Sequence, residues 1–126
     1  IKKAAYAASI DDFIETLPDK YDTLLNAKGT NLSGGQKLRI LIARSLCNNP
    51  NILILDDASS ALDYKTGKQI LKLLEDTCRK EKMTVIIITH NAAISLIADK
   101  IIKFKNGGVD EIIINKNPKR VEDVEW

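Results

Sequence analysis

Leu32-Ser33-Gly34-Gly35-Gln36 is the stretch on which the chain turns. Ser33 stands where a helix N-cap belongs, and Gln36, three positions later, completes a capping box. Leu38, Leu41, Ile42 and Leu46 then recur at helical spacing, so a helix is expected from about Gly34 to Cys47. The two glycines leave its first turn bare of side chains. Backbone N–H groups and the positive end of the helix dipole therefore face whatever approaches, which suits a phosphate. The same five residues also describe a well-capped helix after a flexible loop, and the flanking sequence decides between the two.

Downstream, Ile52-Leu53-Ile54-Leu55 is an apolar run of strand length, expected to be buried on both faces as in a central parallel strand. It ends in Asp56 and Asp57. A small-residue loop, Ala58 to Leu62, is closed by Asp63. An amphipathic helix is predicted from Tyr64 to Arg79, with Ile70, Leu71, Leu73 and Leu74 in the core. Thr84 to Thr89 reads as a second buried strand, leading to the single histidine, His90. A short helix follows over residues 92–98. Ile101 to Phe104 and Val109 to Ile114 flank Asn106-Gly107-Gly108 and read as a hairpin. The polar tail, Asn115 to Trp126, is expected to be irregular or to pack only through Val121, Val124 and Trp126.

Upstream, Ile1 to Ala8 is helix-prone. Ser9 is placed as the cap of a second short helix with Asp11 and Asp12 in its first turn, Ile10, Phe13, Ile14 and Leu17 on its apolar face, and Pro18 at its end. Residues 19–31 read as a connecting loop with Gly29 and Asn31 as turn residues. Two strands joined by a crossover helix imply an α/β layer, and open α/β sheets bind ligands at the C-terminal strand ends. The carboxylates and His90 fall there.

The 126 residues fit about one small domain, and 44% hydrophobic content is enough for a core. A net charge of +2, from 19 basic and 17 acidic residues, gives no bulk argument for nucleic acid or anionic membrane. At 5%, aromatics are too sparse for base-stacking platforms. Cys47 and Cys78 form no C-x-x-C pair and read as small buried residues. No signal peptide is visible, and apolar runs fall far below membrane-spanning length. The chain reads as cytosolic and, beginning at Ile1, as a piece of something longer.

Taken together, the order and spacing of these segments resemble the C-terminal half of an ABC-type ATP-binding domain, from about Phe13 to Gly108. The resemblance implies an α/β chain with a partial P-loop NTPase fold: parallel core strands with flanking helices, a helical-subdomain remnant at the N-terminus and a C-terminal β-hairpin. It divides the chain into a helical portion with the signature loop over residues 1–49, part of the ATPase α/β core over 50–114, and a polar tail over 115–126. Leu32 to Gln36 match the signature loop. The resemblance casts Ser33, Gly34, Gly35 and Gln36 as binding the γ-phosphate of ATP held by the other half of a head-to-tail dimer. Ile52 to Asp56 match the Walker B strand, with Asp56 holding Mg²⁺ through coordinated water. Asp57 follows, where the family usually has the glutamate that polarises the attacking water. One methylene shorter, it implies weakened hydrolysis, as in the degenerate half of an asymmetric pair. Ser60 to Asp63 match the D-loop, with Asp63 at the nucleotide interface, and His90 matches the switch histidine. Lys37 and Arg39, beside the signature, read as solvated or dimer-facing.

The implied partners are ATP, a second ATP-binding domain and a transmembrane permease domain, with no nucleic acid, at the cytoplasmic face of a membrane. Phe13 to Gly29 resembles the segment that touches the transmembrane domain in ABC exporters. Asn26 and Ala27 stand where that pattern carries glycine and glutamate, so charge-based coupling there is not implied. The tail is closer to ATPases that serve a permease with a large external domain. No G-x-x-x-x-G-K-[S/T] occurs in the sequence, so this chain alone is expected to be inactive. Soluble ABC-type ATPases of DNA repair or translation share these motifs, and a degenerate, non-catalytic dimerisation fragment is the other alternative.

Overall fold

The computed structural model describes residues 1–57 and 64–124. The chain forms two compact units, Ile1–Ile88 and Thr89–Trp126.

In the first unit, α1 (Lys2–Ala7) and α2 (Asp11–Glu15) precede two single 3₁₀ turns, Lys20–Asp22 and Ala27–Gly29, and then α3 (Gly34–Leu46). Ser9 does not cap α2: the N-cap is Ile10, with no side-chain cap bond. Ser9 instead closes α1. Its N–H donates to Tyr6 O at 2.9 Å and the Ile10 N–H donates to Ala5 O at 3.0 Å, with Ser9 at φ +51°. That is a Schellman motif with serine in the left-handed position usually given to glycine. Ile10 follows it and is buried with Ala4, Ala5 and Ala8.

These alanines let α1 lie close against α3, whose buried residues are Ile42 and Ala43. Leu41, placed on the apolar face by spacing, is about half exposed, because it lies a hundred-degree step around the helix from Ile42. Cys47 is exposed rather than buried: α3 ends one residue before it. Cys78 is half-buried on α4 (Tyr64–Glu81), where Ile70, Leu71, Leu74 and Thr77 are buried and Leu73 is half-buried.

α4 connects β1 (Ile52–Asp56) to β2 (Thr84–Ile88), which pair in parallel from Ile52↔Thr84 to Asp56↔Ile88. The expected burial of both faces is not found. Leu53 and Leu55 are 4% and 8% exposed, whereas Ile52 and Ile54 are 57% and 61% exposed. Side chains alternate along a strand, so the helical layer covers one face only. Ile86 and Ile88 continue the exposed apolar face on β2.

The second unit holds a 3₁₀ segment (Ala92–Ile97), the antiparallel hairpin of β3 (Lys100–Lys105) and β4 (Gly108–Ile114), and a 3₁₀ turn (Val121–Asp123). Asn106 and Gly107 both have positive φ, +51° and +79°. That is the two-residue turn whose twist matches the strands it joins. Ile94, Val121 and Val124 are buried in this unit. Two of the expected tail anchors therefore pack, while Trp126 lies outside the described residues. Parallel strands, flanking helices and a C-terminal hairpin make this an α/β fragment with the partial P-loop ATPase architecture that the motifs imply.

Candidate functional site

The start of α3 carries the best-defined group. Ser33 has extended backbone angles and its Oγ accepts from the Gln36 N–H at 3.2 Å, while the Ser33 N–H donates to Gln36 Oε1 at 2.8 Å. The Lys37 N–H donates to Ser33 O at 2.9 Å and closes the first turn. A helix start leaves its first N–H groups without intrahelical partners. The reciprocal cap engages those of Ser33 and Gln36. The N–H groups of Gly34 and Gly35 are left as the donors of this turn, joined by the Ser33 hydroxyl, which keeps its own hydrogen while accepting. Three donors at the positive end of a thirteen-residue helix can hold an anionic oxygen. The Gln36 side-chain carbonyl serves the capping box that the sequence predicts.

Gly35 has a second reason to be glycine. A Cβ there would lie 2.5 Å from Thr66 Cγ2 on α4. One turn further along both helices, Arg39 Nη2 donates to Gln69 Oε1 at 3.0 Å, and Arg39 Nη1 donates to Ser9 O at 3.4 Å. Arg39 is therefore engaged within the chain rather than simply solvated. Partial burial pushes its guanidinium below its usual pKa. Neither Thr66 nor Gln69 carries a signal in the sequence, because each meets its partner across about thirty residues of chain.

Asp56 is the last residue of β1, paired with Ile88, and is exposed. Asp57 has left-handed backbone, φ +44°, and its N–H donates to Ile88 O at 2.9 Å. Among the described residues, no three His, Cys, Asp or Glu side chains gather as a metal cage. A single hard carboxylate still fits Mg²⁺, which keeps several waters and takes one or two protein carboxylates beside substrate phosphates. Asp63 and the rest of the 60–63 stretch lie outside the described residues.

His90 belongs to the second unit and is exposed. It sits inside a tight turn, because the Asn91 N–H donates to Thr89 Oγ1 at 3.1 Å. Asn91 Oδ1 accepts from the Ala93 N–H at 2.9 Å and caps the following 3₁₀ segment. His90 is thus presented from a turn that is fixed on both sides.

An apolar cavity of about 350 Å³ in the first unit is lined by residues including Ile10, Ile14, Leu17, Ile40 and Ala43, and shares none with these groups. No helix among the described residues is long and apolar enough to cross a membrane.

A family model described as ABC transporter matches residues 2–60. Multidrug resistance protein 1 of Plasmodium falciparum is 47% identical over 106 residues, covering 84% of this chain and 8% of its own length. The alpha-hemolysin translocation ATP-binding protein HlyB of Escherichia coli is 43% identical over 114 residues, 88% of this chain and 16% of its own. Among solved structures, a bacterial Atm1-family ABC exporter with ATP bound aligns with a TM-score of 0.74 and 40% identity, covering 88% of this chain and 19% of that one. The chain thus spans less than a fifth of each of these relatives. It belongs to the ABC transporter ATP-binding family.

Proposed function

We propose that the full-length protein carrying this chain is the ATP-binding, ATP-hydrolysing subunit of an ABC transporter, working as a dimer at the cytoplasmic face of a membrane. One observation carries this reading: the reciprocal Ser33–Gln36 cap leaves the Gly34 and Gly35 N–H groups and the Ser33 hydroxyl hydrogen as outward donors. They suit the terminal phosphate of a nucleotide held mainly by a second ATP-binding domain in head-to-tail contact.

The other groups extend it. Asp56 would hold Mg²⁺, which when bound neutralises phosphate charge. Asp57 would accept a proton from, or orient, the attacking water. His90, able to donate from one ring nitrogen and accept at the other, would contact phosphate and water together. Asp63 would lie at the interface between the two halves. The relatives named as translocation and exporter proteins support a permease as further partner. The surface that receives it is assigned to the Phe13–Gly29 segment by resemblance.

The test is Mg²⁺-dependent ATP hydrolysis by the full-length protein in lipid vesicles, beside its Asp56→Asn variant. Turnover is expected in the parent and its loss in the variant. A parent without ATP turnover, or a variant with undiminished turnover, overturns the proposal.

A further inference from the structure

Along α3, Gly35 and Arg39 are one turn apart, and along α4, Thr66 and Gln69 are one turn apart. Gly35 faces Thr66 so closely that a methyl group would not fit between them, and Arg39 reaches Gln69 at 3.0 Å. Both pairs advance in the same direction, so the two helices start at the same end of a shared seam. Ser33–Gln36 sits at that end. The other arm of the Arg39 guanidinium reaches Ser9 O, the carbonyl of the left-handed residue that closes α1.

We propose that Arg39 is a positioning residue: its two-armed guanidinium holds the Ser33–Gln36 helix start in register against α4 and ties both to the α1–α2 turn. The importance of that register rests on the phosphate-binding role proposed above. The chemistry favours arginine specifically. A planar guanidinium offers donors on two diverging nitrogens at once, whereas a lysine ammonium is a single point charge that cannot span two acceptors on different elements with the same geometry. Partial burial adds to this, because a guanidinium withdrawn from water needs protein acceptors in its place. The seam is also narrow at Gly35, so a small rotation of α3 moves the donor turn relative to α4.

The experiment uses the full-length protein and its Arg39→Lys variant, with Gln69→Leu and the double variant. Amide hydrogen exchange is read first, without nucleotide. Arg39→Lys is expected to speed exchange at the bonded cap amides of Ser33, Gln36 and Lys37 by about tenfold while the β1–β2 amides keep their protection, since local opening is separable from global unfolding. Next come ATP turnover and the equilibrium binding of an ATP analogue. Turnover is expected to fall roughly fivefold or more with analogue affinity unchanged, the pattern of a contact made in the working complex only. Arg39→Lys and Gln69→Leu should be non-additive, as residues that share one contact are. Unchanged exchange at Ser33, Gln36 and Lys37, uniform loss of protection across the first unit, or normal turnover despite loosened amides would each overturn the assignment. A parent protein without ATP turnover sinks the transporter-ATPase reading instead, and the exchange arm still decides whether Arg39 sets the helix start.

Discussion

The backbone N–H of Asp57 donates to the carbonyl of Ile88 at 2.9 Å. The bond carries the β1–β2 pairing one residue past the end of β1 and fixes where the Asp57 side chain begins. It also holds Asp57 at φ +44°, a conformation that aspartate tolerates better than most L-residues. Local backbone geometry and the chemistry proposed for this position therefore favour different residues. Aspartate suits the turn, while glutamate has the longer reach toward water.

Asp57→Glu should expose that conflict. We expect a stability loss of roughly 0.5–1 kcal/mol in chemical denaturation, from forcing glutamate into left-handed backbone. ATP turnover of the full assembly should rise. Unaltered turnover would remove the case for Asp57 as the limiting feature of its site.

Ser33 has two separable roles. Ser33→Ala removes the acceptor for the Gln36 N–H and should cost about 1 kcal/mol. Ser33→Asp keeps an acceptor at the N-cap but sets a carboxylate where a phosphate is proposed to lie. Stability close to the parent, with ATP turnover abolished, is expected for the aspartate variant. Retained turnover there would contradict phosphate contact at this helix start.

Gly35→Ala tests the seam with α4. Because the added Cβ would meet Thr66 Cγ2 at 2.5 Å, the helices must part or Thr66 must shift. Overpacking of this kind costs typically 1–3 kcal/mol. A paired Thr66→Ser change removes the clashing methyl and should return part of the loss, measured by thermal or urea unfolding.

Ser9→Gly should stabilise. The left-handed conformation costs an L-residue roughly 1–2 kcal/mol, and the extra unfolded-state freedom of glycine takes back roughly 0.5–1 kcal/mol. A net gain of about 0.5–1 kcal/mol in denaturant unfolding is expected, because glycine is the usual occupant of this Schellman position. A loss would mean that the Ser9 side chain contributes more than the strain removes.

Tyr21 gives a pH signature. Its hydroxyl donates to Asp11, and burial first, then that bond and the negative charge of Asp11 and Glu15, push its pKa from 10.0 up to about 12. The folded state thus holds the phenol proton longer than the unfolded chain. The contribution is fully present below pH 10 and is lost as pH rises through about 12. Tyr21→Phe should flatten the decline of stability across that window and remove one late phenolate from the absorbance titration.

Much of this molecule could be read from local pattern. The Ser33-to-Gln36 cap, both parallel strands, α4 and the Asn106-Gly107 turn depend on residues within a few positions of one another, and hydrophobic period and turn chemistry report such features directly. The motif order from Ser33 through Asp56 to His90 was legible for the same reason, and it carried the family. Only the tertiary structure decided the rest. Ser9 closes α1 instead of starting α2 because the left-handed turn buries Ile10 among the alanines of α1. Ile52 and Ile54 stand exposed, since an apolar run does not say how many layers will cover it. Gly35 meets Thr66 and Arg39 spans Gln69 and Ser9, contacts across some thirty residues of chain that no spacing rule encodes. The capped helix start is therefore written in five consecutive residues, while its alignment is set by packing against elements distant in sequence.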